Sequence, residues 1–279
     1  MISVVGLGTA ASRIAKLFSS TPNYNAYEMS NEFSRTSKYK YKLKSYDTPE
    51  EYEKNIPDLN KFFADIDDDV QFFVVGSSYS SNYTLGVLEQ LKDKNVNFFY
   101  IQPDTELLTG PPKMLDKIVY SILQEYARSG MINTFTAISH INIEKAIGGV
   151  PIRQYYEKVN STIFSAVHYC NYFQNAKPVI GTPTDSSDIN RIKTIGMLDT
   201  STLEEKWFFD LDNEREVCYY LCINESKLEN DGGLHKRIIE KLKNKPRNAF
   251  RKISYAIYET EYKDFGFCIA YTNAIQNYK

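Results

Sequence analysis

A tyrosine and an asparagine one helical turn apart, followed by two loop aspartates, are the side chains of this sequence best suited to chemistry. Tyr156 and Asn160 fall in a predicted helix, and Asp185 and Asp188 follow in a Gly/Pro/Thr-rich loop. Residues four apart share a helix face, so an aromatic ring and an amide there could hold a planar base. Two carboxylates on one loop could orient a water molecule. Taken alone, Tyr156 would be a core residue, Asn160 a solvated amide and the aspartates a capping turn.

Two upstream loops have the composition of phosphate-binding turns. In the first, a short apolar strand runs into glycines and a helix follows at once. Backbone N–H groups and the positive end of a helix dipole would then face a bound anion. The second loop again lies between a buried strand and a helix and is rich in serine. The candidate phosphate-binding residues are Gly6, Gly8, Thr9 and Ser12 in the first loop, and Gly76, Ser77, Ser78, Ser80, Ser81 and Asn82 in the second.

Each loop has other interpretations. The first fits G-x-G-x-x-A, the start of a nicotinamide-dinucleotide unit, for which Glu28 would be the acidic residue on the second strand. It could equally be a glycine turn without a ligand, and the second loop a Ser/Asn capping turn. No G-x-x-x-x-G-K-[ST] occurs, which excludes an ordinary P-loop. Ser80 stands where a nucleophile elbow would need glycine.

The elements around these loops alternate between strands and helices. Five apolar strand segments precede the long helix, and helical segments separate most of them. This pattern predicts an α/β fold with a Rossmann-like, mostly parallel sheet covered by helices on both faces. Residues 33–60 are polar and Lys/Tyr-rich, and we expect them to be exposed connecting structure. The long helix is predicted to bury one stripe, formed by Ile152, Tyr156, Val159, Ile163, Val167 and Cys170.

The pattern changes after about residue 190, where paired strands surround one helix. This indicates a smaller α+β domain beyond the long central helix. The predicted organisation is a nucleotide-binding domain at 1–147, a central linking helix at 148–174, and the acidic loop with the C-terminal α+β domain at 175–279.

Bulk composition excludes several classes of protein. The chain has 279 residues, 42% hydrophobic and 24% charged, which is ordinary for a globular protein. A net charge of −2 gives no case for a nucleic-acid partner. No apolar run reaches the roughly 20 residues of a membrane helix, and no signal peptide is present, so a cytoplasmic location is expected. The four cysteines form no CxxC and are predicted to be reduced core residues, and three scattered histidines predict no metal site.

In their order along nearly the whole chain, these motifs resemble the tubulin/FtsZ superfamily. GLGTAAS resembles the first phosphate loop of the family, and GSSYSSN lies where the family has GGGTGSG. Tyr156 and Asn160 match the aromatic residue and asparagine with which tubulins bind guanine. TPTDSSDINR resembles the acidic catalytic loop N-x-D-x-x-D, with both aspartates kept.

The resemblance implies a protein that binds GTP or GDP with accompanying Mg²⁺, assembles head to tail into filaments and hydrolyses GTP at the subunit interface. Asp185 and Asp188 would be catalytic and act on the nucleotide of the next subunit. Tyr156 and Asn160 would contact guanine, and the two loops would hold the phosphates.

Departures from the family pattern keep alternatives open. Of the family's glycine signature only Gly76 remains, and Pro183 replaces the asparagine that opens the acidic loop in FtsZ. One alternative is a tubulin-like structural or assembly protein with lost or much reduced nucleotide binding and hydrolysis; a nicotinamide oxidoreductase is a third. The divergence suggests a plasmid- or virus-type member, which would act in a host cytoplasm if virus-encoded. The adaptor-binding C-terminal tail of FtsZ is not expected here.

Overall fold

The computed structural model describes residues 1–104, 110–184, 188–245 and 251–278. Its strands are β1 (Ile2–Leu7), β2 (Tyr24–Ser30), β3 (Lys40–Lys42), β4 (Asp69–Val75), β5 (Asn95–Gln102), β6 (Thr134–Ser139), β7 (Ile180–Gly181), β8 (Ile192–Leu198), β9 (Glu205–Trp207), β10 (Glu216–Asn224), β11 (Lys252–Thr260) and β12 (Phe265–Thr272). Its α-helices are α1 (Thr9–Phe18), α2 (Pro49–Lys54), α3 (Thr84–Glu89), α4 (Pro111–Ser129), α5 (His140–Ile147), α6 (Tyr155–Asn175), α7 (Glu225–Asn230) and α8 (Leu234–Lys243). Short 3-10 turns occupy Tyr79–Tyr83 and Ile152–Gln154.

The strands join into one sheet with the order β3-β2-β1-β4-β5-β6-β8-β12-β10-β11-β7, and β9 pairs with β8. From β3 to β8 every pairing is parallel. Beyond β8 the pairings with β12 and between β12 and β10 are antiparallel. The predicted α/β class with a mostly parallel sheet is confirmed, since helices cover both of its faces.

The C-terminal strands continue the first sheet, where the sequence indicated a small sheet of their own. The connection is β8, which pairs in parallel with β6 through Phe135 with Ile192 and Thr136 with Lys193. The three-part division at residues 147 and 174 stays a prediction, because a continuous sheet does not mark a boundary.

Helices pack on both faces because successive strand residues point in opposite directions. Phe72 and Phe98 belong to a core on the face that carries α4. Phe73 and Phe99 belong to a core on the opposite face, which carries α1 and α6. A third core lies under α8 around Ile238. All four cysteines are buried and free, as predicted.

The long helix α6 buries a shorter stripe than the sequence predicts. Val159, Ile163 and Val167 are at most 1% exposed. Ile152 is 93% exposed in the preceding 3-10 turn, and Tyr156 is 63% exposed in the first turn of α6. The prediction of a buried stripe is therefore wrong for these two residues, because α6 packs against the core only from about Val159 onward.

Residues 33–60 contain more structure than predicted. Leu43, Tyr52 and Leu59 are at most 2% exposed and belong to the core under β2 and β4. Thr48 and Glu51 form a capping box at the start of α2. Across the described ranges, no helix combines the length and apolar character needed to span a bilayer.

Candidate functional site

The carboxyl ends of β1, β4, β5 and β6 meet at one edge of the sheet. The pairings Leu7 with Val74, Val75 with Ile101 and Gln102 with Ser139 align these ends. The first loop (residues 6–12) begins at the end of β1 and the second loop (residues 76–82) follows β4, and we call them the two glycine loops. Because β1 and β4 are paired and both loops lie at the carboxyl ends of these strands, the loops are neighbours. In open α/β sheets, ligands bind outside the carboxyl ends of the strands. This edge is the candidate site.

The first loop places the start of α1 at the edge. Gly8 has φ 88° and ψ 164°, a conformation that favours glycine, and it precedes the first turn of α1. No side chain caps α1 and no acidic residue lies in its first turn. First-turn N–H groups have no partner within a helix, so they are available to an anion. A side chain at Gly8 would contact the second loop, since its Cβ would lie 3.1 Å from Cβ of Ser80.

Contacts with β1 and β2 fix the conformation of the first loop through Gly6, Ser12 and Thr9. A Cβ on Gly6 would lie 2.7 Å from the backbone nitrogen of Ser12, so glycine lets α1 approach β1. The Ser12 hydroxyl is 3.0 Å from the carbonyl oxygens of Gly6 and Met29 and accepts the Met29 N–H at 3.0 Å. The Thr9 hydroxyl lies 2.9 Å from that of Ser30. Ser12, 2% exposed, therefore joins α1 to β1 and β2 and does not face the edge.

Asp116 of α4 accepts a hydrogen bond from the backbone of the second loop. The Ser77 N–H donates to Asp116 Oδ1 at 2.7 Å, and Tyr100 Oη donates to Oδ2 at 2.6 Å. Tyr278 donates to the same Oδ2 atom. Burial raises the pKa of Tyr100 well above its usual value, and the charge of Asp116 adds to the shift. Tyr100 thus stays protonated and can donate to Asp116. At Gly76 there is no room for a side chain, because a Cβ would lie 2.7 Å from Asp116 Oδ1.

Most hydroxyl protons of the second loop are used within it. Ser78 Oγ donates to the Val75 carbonyl at 3.0 Å and accepts the Ser81 N–H at 3.2 Å. Ser81 Oγ donates to the Ser78 carbonyl at 2.6 Å, and the Asn82 amide donates to the Tyr79 carbonyl at 3.0 Å. These bonds form a 3-10 turn, and α3 begins only at Thr84.

Ser80 and Ser77 are the exceptions in this loop. Ser80 has no hydrogen-bond partner for its hydroxyl within the described ranges, and it lies beside Gly8. Ser77 has φ 56°, in the left-handed region that glycine adopts most readily. The backbone thus keeps a glycine-like conformation at a position where the sequence has serine.

The start of α6 presents a ring and an amide to solvent. Tyr156 is 63% exposed and its ring centroid lies 5.3 Å from that of Tyr155. Tyr155 donates to Glu144 at 3.3 Å. Its pKa is raised, first by burial and then by Glu144, with a contribution from Asp104 just beyond β5. In the described part of the chain, Tyr156 and Asn160 have no hydrogen-bond partner. Both are therefore open to a ligand near this edge of the sheet.

The described end of the acidic loop, at Asp188, lies at the other edge. Asp185 falls outside the described residues. Asp188 is exposed and precedes β8. Because β8 runs parallel to β6, its beginning is at the amino edge, one strand length of about 20 Å from the glycine loops. Arg191 donates from Nε to the Asp188 carbonyl at 2.7 Å.

Asp116, Tyr100 and Tyr278 are site residues that sequence reasoning missed. A signal for Asp116 exists in the sequence, because it lies one turn before Tyr120 in the amphipathic segment that forms α4. A carboxyl group on a buried stripe indicates a specific partner. Nothing local to Tyr278 indicates that it contacts α4. Glu28, required by the dinucleotide interpretation, is 8% exposed and lies 4.0 Å from Lys40 of β3.

Comparison with protein-family models finds no match, and no curated protein sequence matches significantly. Solved structures do match. CetZ from Methanosaeta thermophila strain DSM 6194 superposes with a TM-score of 0.68 at 10% identity, covering 98% of this chain and 86% of that one. GDP-form protofilaments of TubZ from Bacillus thuringiensis serovar israelensis give 0.68 at 13% identity, with 99% and 85% covered. An empty FtsZ dimer from M. jannaschii gives 0.61 at 12% identity, with 97% and 88% covered.

These three proteins are members of the superfamily that the sequence motifs resemble, and the superposition extends over almost the whole chain. The identities are low, so the likeness concerns the arrangement of the backbone. The chain has the fold of the tubulin/FtsZ superfamily, in a divergent form.

Proposed function

We propose that this protein binds GTP at the carboxyl edge of its sheet, assembles head to tail into filaments and hydrolyses GTP between subunits. The observation that carries the proposal is the separation of the two candidate half-sites. Gly8 and Ser80 meet at the carboxyl edge, whereas Asp188 precedes β8 at the amino edge. One chain cannot bring them together, but stacked copies can. A head-to-tail contact of this kind does not close and so builds a filament.

The carboxyl edge fits a nucleotide. The uncapped start of α1 offers N–H groups and a helix dipole to phosphates. Ser80 adds a free hydroxyl beside Gly8, and exposed Tyr156 with Asn160 offers a ring and an amide for the base. GTP, accompanied by Mg²⁺, would supply the phosphoanhydride bond that is cleaved. The structural match to TubZ, solved as GDP-form protofilaments, supports both a guanine nucleotide as the ligand and assembly into filaments.

Asp188, and Asp185 by the motif, would act on the neighbouring subunit. Phosphoryl transfer depends on positioning and charge stabilisation more than on covalent help. An exposed carboxylate at the amino edge can accept a hydrogen bond from the attacking water and align it. Arg191 holds the backbone of this loop through the Asp188 carbonyl. Hydrolysis would then follow assembly.

A second candidate function is a tubulin-like assembly protein without turnover. It is favoured by the 3-10 turn at Tyr79–Tyr83, in which Ser78 and Ser81 donate to backbone carbonyls instead of a ligand. Such a protein would still assemble through the same two ends. It would carry no nucleotide or a trapped one.

The test has two measurements on purified protein. Denatured protein analysed by anion exchange should release GDP or GTP in near-stoichiometric amount. The GTPase rate per subunit should then rise with protein concentration, because the site is completed by a neighbour. A constant rate per subunit would contradict catalysis between subunits. Bound nucleotide without turnover, or no nucleotide with filaments still visible by electron microscopy, would favour the second function.

A further inference from the structure

A cavity at the amino edge, away from the glycine loops, contains a lysine that forms no ion pair with any described residue. The cavity has a volume of about 450 Å³ and lies between the sheet and the C-terminal half of α6. Lys193 of β8 lines it together with Phe99, Cys170 and Ile195. No carboxylate within the described ranges forms an ion pair or hydrogen bond with the Lys193 ammonium group. Its aromatic neighbour is Phe99, whose ring centroid is 5.9 Å away.

An unpaired ammonium group in such a position is unfavourable. Burial lowers the pKa of Lys193 to about 8, and nearby Cys170 opposes the shift. At neutral pH the group is still mostly protonated, so the cavity holds a positive charge on a half-buried side chain. A contact with an aromatic face stabilises a cation by only about 0.5–2 kcal/mol. Buried charges are normally paired.

The remaining wall is rich in hydrogen-bonding groups. Asn97 accepts from Asn133 at 3.0 Å and from Thr134 at 2.7 Å through its carbonyl oxygen. Its NH₂ group therefore stays available as a donor. Gln71 and Asn171 bond to each other at 2.8 Å, which fixes that part of the wall. Arg191 lines the cavity and adds a second positive charge.

Asp188 is the acidic residue that lines this cavity in the described ranges. It is exposed, so it belongs to the solvent side. Neither a hydrogen bond nor an ion pair joins its carboxylate to Lys193 or Arg191. The described lining of the cavity therefore combines two cationic side chains, amide groups and apolar residues with one carboxylate on its exposed side. Its volume falls within the range of about 300–1,000 Å³ typical of small-molecule sites.

We propose that this cavity binds a small organic anion, a carboxylate or a phosphate ester, with its charged end at the Lys193 ammonium group. Asn97 donates to the same end, and the apolar floor around Phe99 and Ile195 takes the body of the molecule. This site lies at the amino edge, away from the carboxyl edge, and Asp188 lines it.

The experiment measures the reactivity of Lys193 toward an amine-acylating reagent at pH 8, followed by peptide mass spectrometry. Inorganic phosphate and succinate are the two probes, each compared with sodium chloride at equal ionic strength. Lys206, an exposed lysine on the neighbouring strand β9, is the internal control. An anion present at ten times its Kd should slow labelling of Lys193 by about tenfold, since only the unoccupied fraction reacts. Labelling of Lys206 should not change.

Which probe protects Lys193 distinguishes the two ligand types. An Asn97→Asp variant adds a negative charge to the cavity and should lose the anion-dependent protection. Asn244→Asp makes the same charge change at an exposed position beyond α8 and should keep it. The proposal is overturned if neither anion protects Lys193, or if Lys206 is protected to the same degree.

Discussion

At the scale of single residues, Asp116 is the side chain on which the second glycine loop most depends. Its two carboxyl oxygens accept from the Ser77 N–H, from Tyr100 and from Tyr278. It is 5% exposed, so water cannot replace these bonds easily. The loop, the strand before α4 and the C-terminal segment are therefore joined at one group.

Asp116→Asn tests this role. The amide keeps an acceptor for the Ser77 N–H but replaces the charged oxygen that accepts from both tyrosine hydroxyls by an NH₂ group. We therefore expect a loss of about 1–3 kcal/mol in the free energy of unfolding. Urea denaturation measures it, and nucleotide retention should fall with it. Asp93→Asn, at an exposed position, is the matched control and should change little. Equal stability of both variants would show that the Asp116 network does not hold the loop.

Ser77 carries a cost in backbone conformation. At φ 56° a side chain costs about 1–2 kcal/mol relative to right-handed backbone. We expect Ser77→Gly to stabilise the fold by about 0.5–1 kcal/mol, after the greater freedom of glycine in the unfolded chain is subtracted. Thermal unfolding measures the change.

The control for Ser77 lies next to it in the loop. Ser78 has φ −82°, and its hydroxyl both donates to Val75 and accepts from Ser81. Ser78→Gly should therefore destabilise the protein. If both glycine variants destabilise, positive φ at Ser77 is not a source of strain.

At the scale of elements, the packing of α1 on β1 decides the shape of the candidate phosphate site. Gly6 permits the close approach, and Ser12 bonds α1 to the backbones of β1 and β2. The first turn of α1 is thereby fixed at the carboxyl edge. A helix whose start is fixed can present its N–H groups without further rearrangement.

Gly6→Ala should displace this helix. The new methyl group would lie 2.7 Å from the Ser12 nitrogen, so the backbone must shift, and we expect a loss of about 1–3 kcal/mol together with weaker nucleotide binding. Circular dichroism melting and equilibrium dialysis measure the two effects. Gly149→Ala is the control, because nothing lies within 4 Å of its added Cβ. Similar behaviour of the two variants would contradict the role of Gly6.

The longer strands before α6 could be predicted from the sequence, whereas several buried residues of the connecting segment could not. The five strands predicted before α6 are confirmed, since each is a run of strand-forming residues between turn residues, which is a local signal. The short strand β3 was not predicted and lies in the segment expected to be connecting structure. Leu43, Tyr52 and Leu59 were missed because they are separated by polar residues, and their burial depends on a surface supplied by distant strands. The exposure of Ile152 and Tyr156, which the sequence placed on the buried stripe of the long helix, has the same cause. Periodicity gives the face of a helix but not the point at which it meets a core.

At the scale of the whole molecule, the two candidate half-sites lie at opposite edges of one sheet. The proposed activity therefore belongs to a junction between chains. Two variants that are each defective at a different edge should therefore recover activity when mixed, which would not occur if the active site lay within one chain.

A complementation assay tests the junction. Tyr156→Ala/Asn160→Ala removes the candidate base contacts of one end, and Asp188→Ala removes the described carboxylate of the other. Each variant alone should lack GTPase activity. An equimolar mixture should recover about a quarter of the wild-type rate, because in random head-to-tail assembly that share of junctions joins two intact halves. A mixture no more active than its components would contradict a shared site. Pelleting of both variants checks that each still assembles.

The sequence by itself determined the alternation of strands and helices, the two glycine loops and the order of candidate residues along the chain. These follow from local periodicity and turn chemistry, which are properties of short segments. Only the tertiary structure decided that β8 extends the sheet from β6 and that Ser12 faces the sheet. It also decided that Asp116 and Tyr278 hold the second loop, and that Lys193 lines a cavity in which no described residue forms an ion pair with it. Each of these depends on contacts between residues far apart in sequence, and no single segment contains both sides of such a contact.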